Sequence, residues 1–246
     1  MNTYVIGNLK GGTGKTTSAV NLAYSLSLFG KRVLVIDADP QTNLTPFYTK
    51  ANQNGMTILD ALSAPGKVKR CIYRGRYPGI DIIKGDPALR EADVTSKGWM
   101  ICVLEQLLEM GTYDICIIDT RPAFENIAVS AIAAADVLLT PVCLDKFCRD
   151  NLALVEDFLE QLPEQYRPEW KVFATKVDAH RRSQRTIYKD LLTKHDYPFL
   201  DTCISRSADI DNALDLYKPV MKHRRKSQTS KDYMDLAKEL LEHGEE

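Results

Sequence analysis

Eight consecutive residues constrain this chain more than any others: Lys10-Gly11-Gly12-Thr13-Gly14-Lys15-Thr16-Thr17. The apolar run before them, residues 3–8, suits a buried strand. In the segment after them, Val20, Ala23, Leu26 and Leu28 approximate one helix face, and Gly30 is a stop signal. A glycine-rich turn between a strand and a helix can direct successive backbone N–H groups at phosphate oxygens, and the helix adds its positive end. A side chain at Gly12 or Gly14 is expected to obstruct such a loop. Lys15 would supply a point charge to the β and γ phosphates, and the Thr16 hydroxyl can ligate Mg²⁺.

The rest of the chain repeats the strand–helix alternation. Residues 33–36 are a continuous aliphatic run that fits a strand buried on both faces, hence a parallel sheet. Strands are expected at 80–84, 113–119, 136–142, 170–177 and 199–204. Helices are expected at 99–111, 123–135, 149–162, 183–195 and 228–243. Residues 64–79, with Pro65, Gly66, Gly75, Pro78 and Gly79, are the least regular stretch. Alternation from end to end predicts an α/β fold, a doubly wound, mostly parallel sheet flanked by helices. No Ser/Gly-rich linker or internal repeat interrupts it, so 1–246 is expected to be a single domain.

Charge excludes some functions. Lys and Arg number 32 against 33 Asp and Glu, a net charge of −1 in 246 residues, so any DNA binding must use a local patch. Cys71, Cys102, Cys116, Cys143, Cys148 and Cys203 form no C-x-x-C pair, which removes support for zinc-ribbon and thioredoxin-like readings. No leader pattern and no apolar window of about 18 residues occurs, and a reducing cytoplasm is the expected compartment.

One detail departs from the general phosphate-loop pattern. Leu9 stands where glycine is usual, and a second lysine, Lys10, precedes the glycines. KGGTGKTT resembles the deviant Walker A motif of the ParA/MinD family of P-loop NTPases. The resemblance implies ATP and Mg²⁺ as cofactors and a nucleotide-dependent sandwich homodimer. In that dimer Lys10 would reach the partner's nucleotide. A cation added only on dimerisation would make transition-state stabilisation depend on assembly.

Two acidic strand ends extend the resemblance. Asp37-Ala38-Asp39-Pro40-Gln41 is similar to the DxDPQ segment of ParA proteins. The match implies that Asp39 polarises or positions the attacking water and that Asp37 supports the metal site. Ile117-Ile118-Asp119-Thr120 resembles a Walker B strand end, where Asp119 would hold Mg²⁺ through water. Taken alone, each Asp fits equally well as a turn or N-cap residue.

Two segments leave alternatives open. ParA proteins commonly read DTPP after the Walker B strand, whereas this chain reads Asp119-Thr120-Arg121-Pro122. Arg121 could reach phosphate, a partner or DNA, or be a solvated loop arginine, the reading favoured here. Thr175-Lys176-Val177-Asp178 superficially fits the guanine-reading motif of GTPases. ParA proteins carry a similar segment and use ATP, so ATP is expected.

The C-terminal part selects the branch. Ile204-Ser205-Arg206-Ser207 and Tyr217-Lys218-Pro219-Val220 resemble the IPRN…GKPV region of ParA proteins. The chain ends KELLEHGEE, unlike the basic membrane helix of MinD-like members, so no membrane binding is expected. About eight residues precede the loop in this sequence, so no N-terminal helix-turn-helix is expected. Lys222, Arg224, Arg225 and Lys226, with Arg206 upstream, form the candidate patch for non-specific double-stranded DNA. The competing reading is an exposed basic loop. The run at His180, Arg181, Arg182 and Arg185 is weaker. The resemblance implies a nucleoid-associated DNA-partitioning ATPase, catalytic through Lys10, Lys15 and Asp39. Its weak hydrolysis would be stimulated by a ParB-like partner. The alternatives are a positioning ATPase for a protein cargo and a non-hydrolysing regulatory module.

Overall fold

The computed structural model describes residues 1–49, 55–91, 99–125 and 127–243. Seven strands form one sheet in the order β3-β4-β2-β5-β1-β6-β7. They are β1 (Asn2–Ile6), β2 (Val33–Ala38), β3 (Ile72–Arg74), β4 (Ile80–Ile83), β5 (Ile115–Thr120), β6 (Val137–Cys143) and β7 (Glu169–Thr175). All neighbours pair in parallel except β3 with β4, so the sheet is mostly parallel and doubly wound. The helices are α1 (Lys15–Leu28), α2 (Thr45–Tyr48), α3 (Ile58–Ser63), α4 (Val68–Cys71), α5 (Trp99–Glu109) and α6 (Ile127–Ala133). They continue with α7 (Cys148–Glu160), α8 (Arg182–Lys194), α9 (Ala208–Asp215), α10 (Val220–His223) and α11 (Gln228–His243).

Period-two alternation divides the strands between two cores. Tyr4, Ile6, Val35 and Ile117 pack with Val20, Leu22 and Leu26 of α1 and with Tyr233, Leu236 and Leu240 of α11. Val5, Leu34, Ile36 and Ile118 face the other way, toward Ile58 of α3, Val103 and Leu107 of α5, and Ile132 of α6. A smaller cluster covers β7 with Leu152 of α7 and Leu191 of α8. With both faces covered, the ends of the strands are the exposed positions, and the phosphate loop leaves the C-terminal end of the interior strand β1.

Two expectations need correction. Residues 199–204 do not form a strand. They run beside β7 but make one isolated bridge with it, Val172 with Phe199, and the next bridge, Val177 with Ser205, lies just beyond both segments. Between those bridges the Asp201 and Thr202 amides donate to the Glu239 carboxylate at 2.6 and 3.0 Å, which takes them out of the ladder. The irregular stretch 64–79 contains α4 and the antiparallel edge strand β3. A three-residue strand carries too little period-two signal to read from sequence.

Candidate nucleotide site

The phosphate loop is shaped by backbone conformation. Gly12 and Gly14 have φ of +74° and +95°, left-handed values that L side chains rarely adopt. Among the described residues no atom beyond the adjoining chain lies within 4 Å of a Cβ placed on either glycine, so the space over the loop is open. The expected steric obstruction is therefore not seen within the protein itself; the requirement is one of φ. Gly14 is also the N-cap of α1, and the Ser18 amide donates to its carbonyl at 2.8 Å.

Several groups that the sequence reading missed hold the loop. Buried Asn8 donates to the Pro141 carbonyl at 2.8 Å and accepts from the Lys10 amide at 2.8 Å. The Thr175 hydroxyl donates to the Thr13 carbonyl at 2.8 Å, and Lys176 Nζ donates to the Gly12 carbonyl at 2.8 Å. The first half of the TKVD segment thus straps the phosphate loop. Its Asp178 accepts from the His180 amide at 3.0 Å and lies 4.0 Å from the Arg181 guanidinium. That carboxylate is occupied in its own turn, which weakens the guanine-reading analogy.

The two lysines sit differently. Lys15 is buried, and burial lowers its pKa against the opposing pull of Asp119 and Asp39. Its ammonium donates to the Lys10 carbonyl at 3.0 Å. Lys10 instead pairs with Asp145, Nζ to Oδ2 2.6 Å, and lies over the Phe147 ring at 5.4 Å. Both partners of that ion pair are partly exposed, at 31 and 42 %.

Two of the carboxylates lie side by side on neighbouring strands. Asp37 pairs in register with Asp119 across β2 and β5. Asp119 is fully buried, and neither of its oxygens has a hydrogen-bond partner meeting normal geometry among the described residues. Burial, reinforced by Asp37, drives its pKa well above the usual carboxylate range, while Thr16 and Lys15 oppose the rise. Burial also raises Asp37 to about 6, although Thr45 donates to its Oδ2 from both Oγ1 (2.6 Å) and the backbone amide (2.8 Å). Asp39 is buried, and its Oδ1 accepts from the Gln41 amide at 2.9 Å. Among the described residues no group of three or more His, Cys, Asp or Glu forms a closed metal cage. Mg²⁺ needs none, since it keeps waters and shares substrate phosphates with one or two carboxylates.

Beside Gly14 and Thr17 opens a cavity of about 350 Å³, bounded by Thr175, Lys176, Ile204, Ile210 and Tyr233. Arg206 lines this cavity, so the structure places it at the phosphate loop's pocket. Lys222, Arg225 and Lys226 are exposed around the turn between α10 and α11. Arg224, also exposed, pairs with Asp209 at 3.1 Å. Arg121 is half-buried directly after β5 rather than a fully solvated loop arginine. Among the described residues no helix is long and apolar enough to cross a membrane.

Comparison with known proteins agrees with this geometry. A family model described as an AAA domain matches residues 1–172. The chromosome partitioning protein ParA of Caulobacter vibrioides is 29 % identical, covering 96 % of this chain and 92 % of the relative. The chromosome-partitioning ATPase Soj of Thermus thermophilus is 27 % identical, covering 96 % and 94 %. The Cyanothece McdA(D38A)–ATP complex superposes with a TM-score of 0.84 at 25 % identity, covering 98 % of this chain and 96 % of that one. Because the family model spans well over half of the sequence and these relatives align along nearly all of it, the chain belongs to the ParA-type P-loop ATPases.

Proposed function

We propose that this chain is a DNA-partitioning ATPase, a single domain over 1–246. In this reading it binds Mg-ATP, forms a sandwich homodimer and coats double-stranded DNA non-specifically in the cytoplasm, on the nucleoid. A ParB-like partner stimulates hydrolysis, and hydrolysis releases the dimer.

The observation that carries this reading is the placement of Lys10. Its ammonium is next to the phosphate loop yet is held by Asp145, outside its own loop. An ion pair this exposed contributes about 0–1 kcal/mol, little enough for phosphate oxygens of a second subunit to displace it.

The remaining residues fit Mg-ATP. Lys15 and the amides of residues 11–17 would hold phosphate oxygens. Thr16 and Asp119 would hold Mg²⁺, which would neutralise charge on the phosphates. A buried carboxylate with no well-formed hydrogen bond among the described residues is costly by itself and suited to a cation. Asp39 orients the attacking water and Lys15 stabilises charge in cis. Lys10 adds its charge from the partner subunit. The DNA contacts are assigned to Lys222, Arg225 and Lys226, whose charges act pairwise across a dimer. Arg224 contributes less because Asp209 already neutralises it.

The test is binding to arbitrary duplex DNA with ATP, with ADP and without nucleotide, at two salt concentrations. ATP-dependent, salt-sensitive and sequence-indifferent binding is expected. Absence of binding in every state overturns the DNA assignment and leaves an ATPase working on a protein cargo.

A further inference from the structure

The loop that carries Asp39 is closed by a side chain that the phosphate chemistry does not account for. The chain leaves β2 at Asp37 and Ala38, forms the loop 39–44, and re-enters a helix at Thr45. The Thr45 hydroxyl donates to Asp37 Oδ2 at 2.6 Å, and the Thr45 amide donates to the same oxygen at 2.8 Å. The Thr45 hydroxyl also accepts from the Gly85 amide at 3.1 Å, just beyond β4. One hydroxyl therefore ties together the two ends of the loop and the neighbouring strand end. Asp37 is fully buried and Thr45 is 5 % exposed, so water does not compete for these bonds.

The surroundings leave little slack. A Cβ on Gly85 would lie 2.9 Å from both Asp37 Cγ and Thr42 Cγ2. Thr42 has a φ of +52°, a strained value that persists where the surroundings fix it. Its amide donates to the Asp39 carbonyl at 2.8 Å. The second oxygen of Asp37 accepts, at 3.4 Å, from the Asp39 amide. Both oxygens of Asp37 are thus directed at the loop.

We propose that Thr45 is a positioning residue for hydrolysis: with Gly85 it clamps Asp37, and the clamped Asp37 sets the place of Asp39. Asp37 then acts toward the metal through the geometry of the Asp39 loop and not as a ligand. The inference rests on the reading that Asp39 orients the attacking water.

Three variants test it: Thr45→Val, which keeps the shape and removes the hydroxyl; Thr45→Ser, which restores it; and Gly85→Ala, which pushes on the clamp from the β4 side. ATP affinity and kcat are measured for each. Hydrogen exchange of the amides in 39–45 is measured without nucleotide, so the loop is read independently of turnover. The expected result is a kcat about 10–100-fold lower for Thr45→Val and Gly85→Ala, the loss typical when a supporting hydrogen bond is removed. ATP affinity should stay close to wild type, exchange in 39–45 should accelerate, and Thr45→Ser should restore both. Unchanged exchange in folded Thr45→Val, or a kcat loss that serine does not rescue, overturns the clamp. Should Thr45→Val fail to fold, Gly85→Ala decides by the same exchange and kcat criteria. Faster exchange in a protein whose wild type has no ATPase activity would uphold the clamp and overturn the assigned role of Asp39 instead.

Discussion

Asp37 and Asp119 occupy the same register on adjacent parallel strands, β2 and β5, and both are fully buried. Their environments nonetheless differ. Asp37 receives two hydrogen bonds from Thr45, whereas Asp119 has no well-formed partner among the described residues. One carboxylate is anchored to a loop, and the other is the one to which the proposed function assigns Mg²⁺.

Replacing Asp119 with Asn should therefore stabilise the nucleotide-free protein. The folded-state pKa of Asp119 lies above its unfolded value, so the folded state binds the extra proton. The wild type consequently loses stability relative to Asp119→Asn as pH rises above about 4, the unfolded carboxylate range. Below that range the difference should vanish. Thermal denaturation at pH 5 and pH 7.5 should show a larger advantage for the variant at 7.5, of about 1–3 kcal/mol. The same variant should lose Mg²⁺-dependent strengthening of ATP binding. An advantage that shrinks toward pH 7.5 would contradict a raised pKa.

The Lys10–Asp145 ion pair makes a second prediction. Asp145→Asn frees the lysine and should strengthen ATP-dependent dimerisation by at most about fivefold per protomer, given the exposure of the pair. Lys10→Ala should leave ATP binding by the monomer intact and weaken the dimer. Analytical ultracentrifugation with ATP distinguishes them. Dimerisation unchanged by Lys10→Ala counts against a role across the interface.

Much of this was legible in the sequence, for identifiable reasons. The loop glycines announce themselves because positive φ demands glycine, and Gly12 and Gly14 take it up. Buried parallel strands announce themselves as unbroken aliphatic runs, as in β2. The strap from Thr175 and Lys176 was hidden because it joins the ends of strands more than 160 residues away from the loop. Spacing along the chain also said nothing of which wall a side chain lines, and so did not show that the exposed Arg206 borders the cavity beside the phosphate loop. Residues 199–204 looked like a strand because apolarity was visible and the capping carboxylate of Glu239 was not.

Asp39 offers a sharper test of catalysis than the lysines. Asp39→Ala should preserve ATP binding and lower kcat by at least about 100-fold, the lower end for loss of a proton-handling group. Because Asp39 Oδ1 also holds the Gln41 amide, Asp39→Asn is the useful companion, keeping that acceptor while losing the charge. Equal loss in the two variants assigns the effect to charge. Full activity in Asp39→Asn assigns it to loop geometry.

The basic turn between α10 and α11 yields a prediction in salt dependence. Lys222, Arg225 and Lys226 are exposed, whereas Arg224 already faces Asp209 at 3.1 Å. A phosphate contact releases counterions, and each one lost lowers the slope of log K against log salt by about 0.9. Arg225→Ala and Lys226→Ala should therefore each lower the slope by about 2 in a dimer, which carries two copies of the turn. Arg224→Ala should lower it less, because its charge is neutralised within the subunit. ATP affinity should remain unchanged in all three, since none of these residues lines the cavity at the phosphate loop. Equal slopes for wild type, Arg225→Ala and Lys226→Ala would place the DNA contacts elsewhere. The run at Arg181, Arg182 and Arg185 would then be the next surface to neutralise.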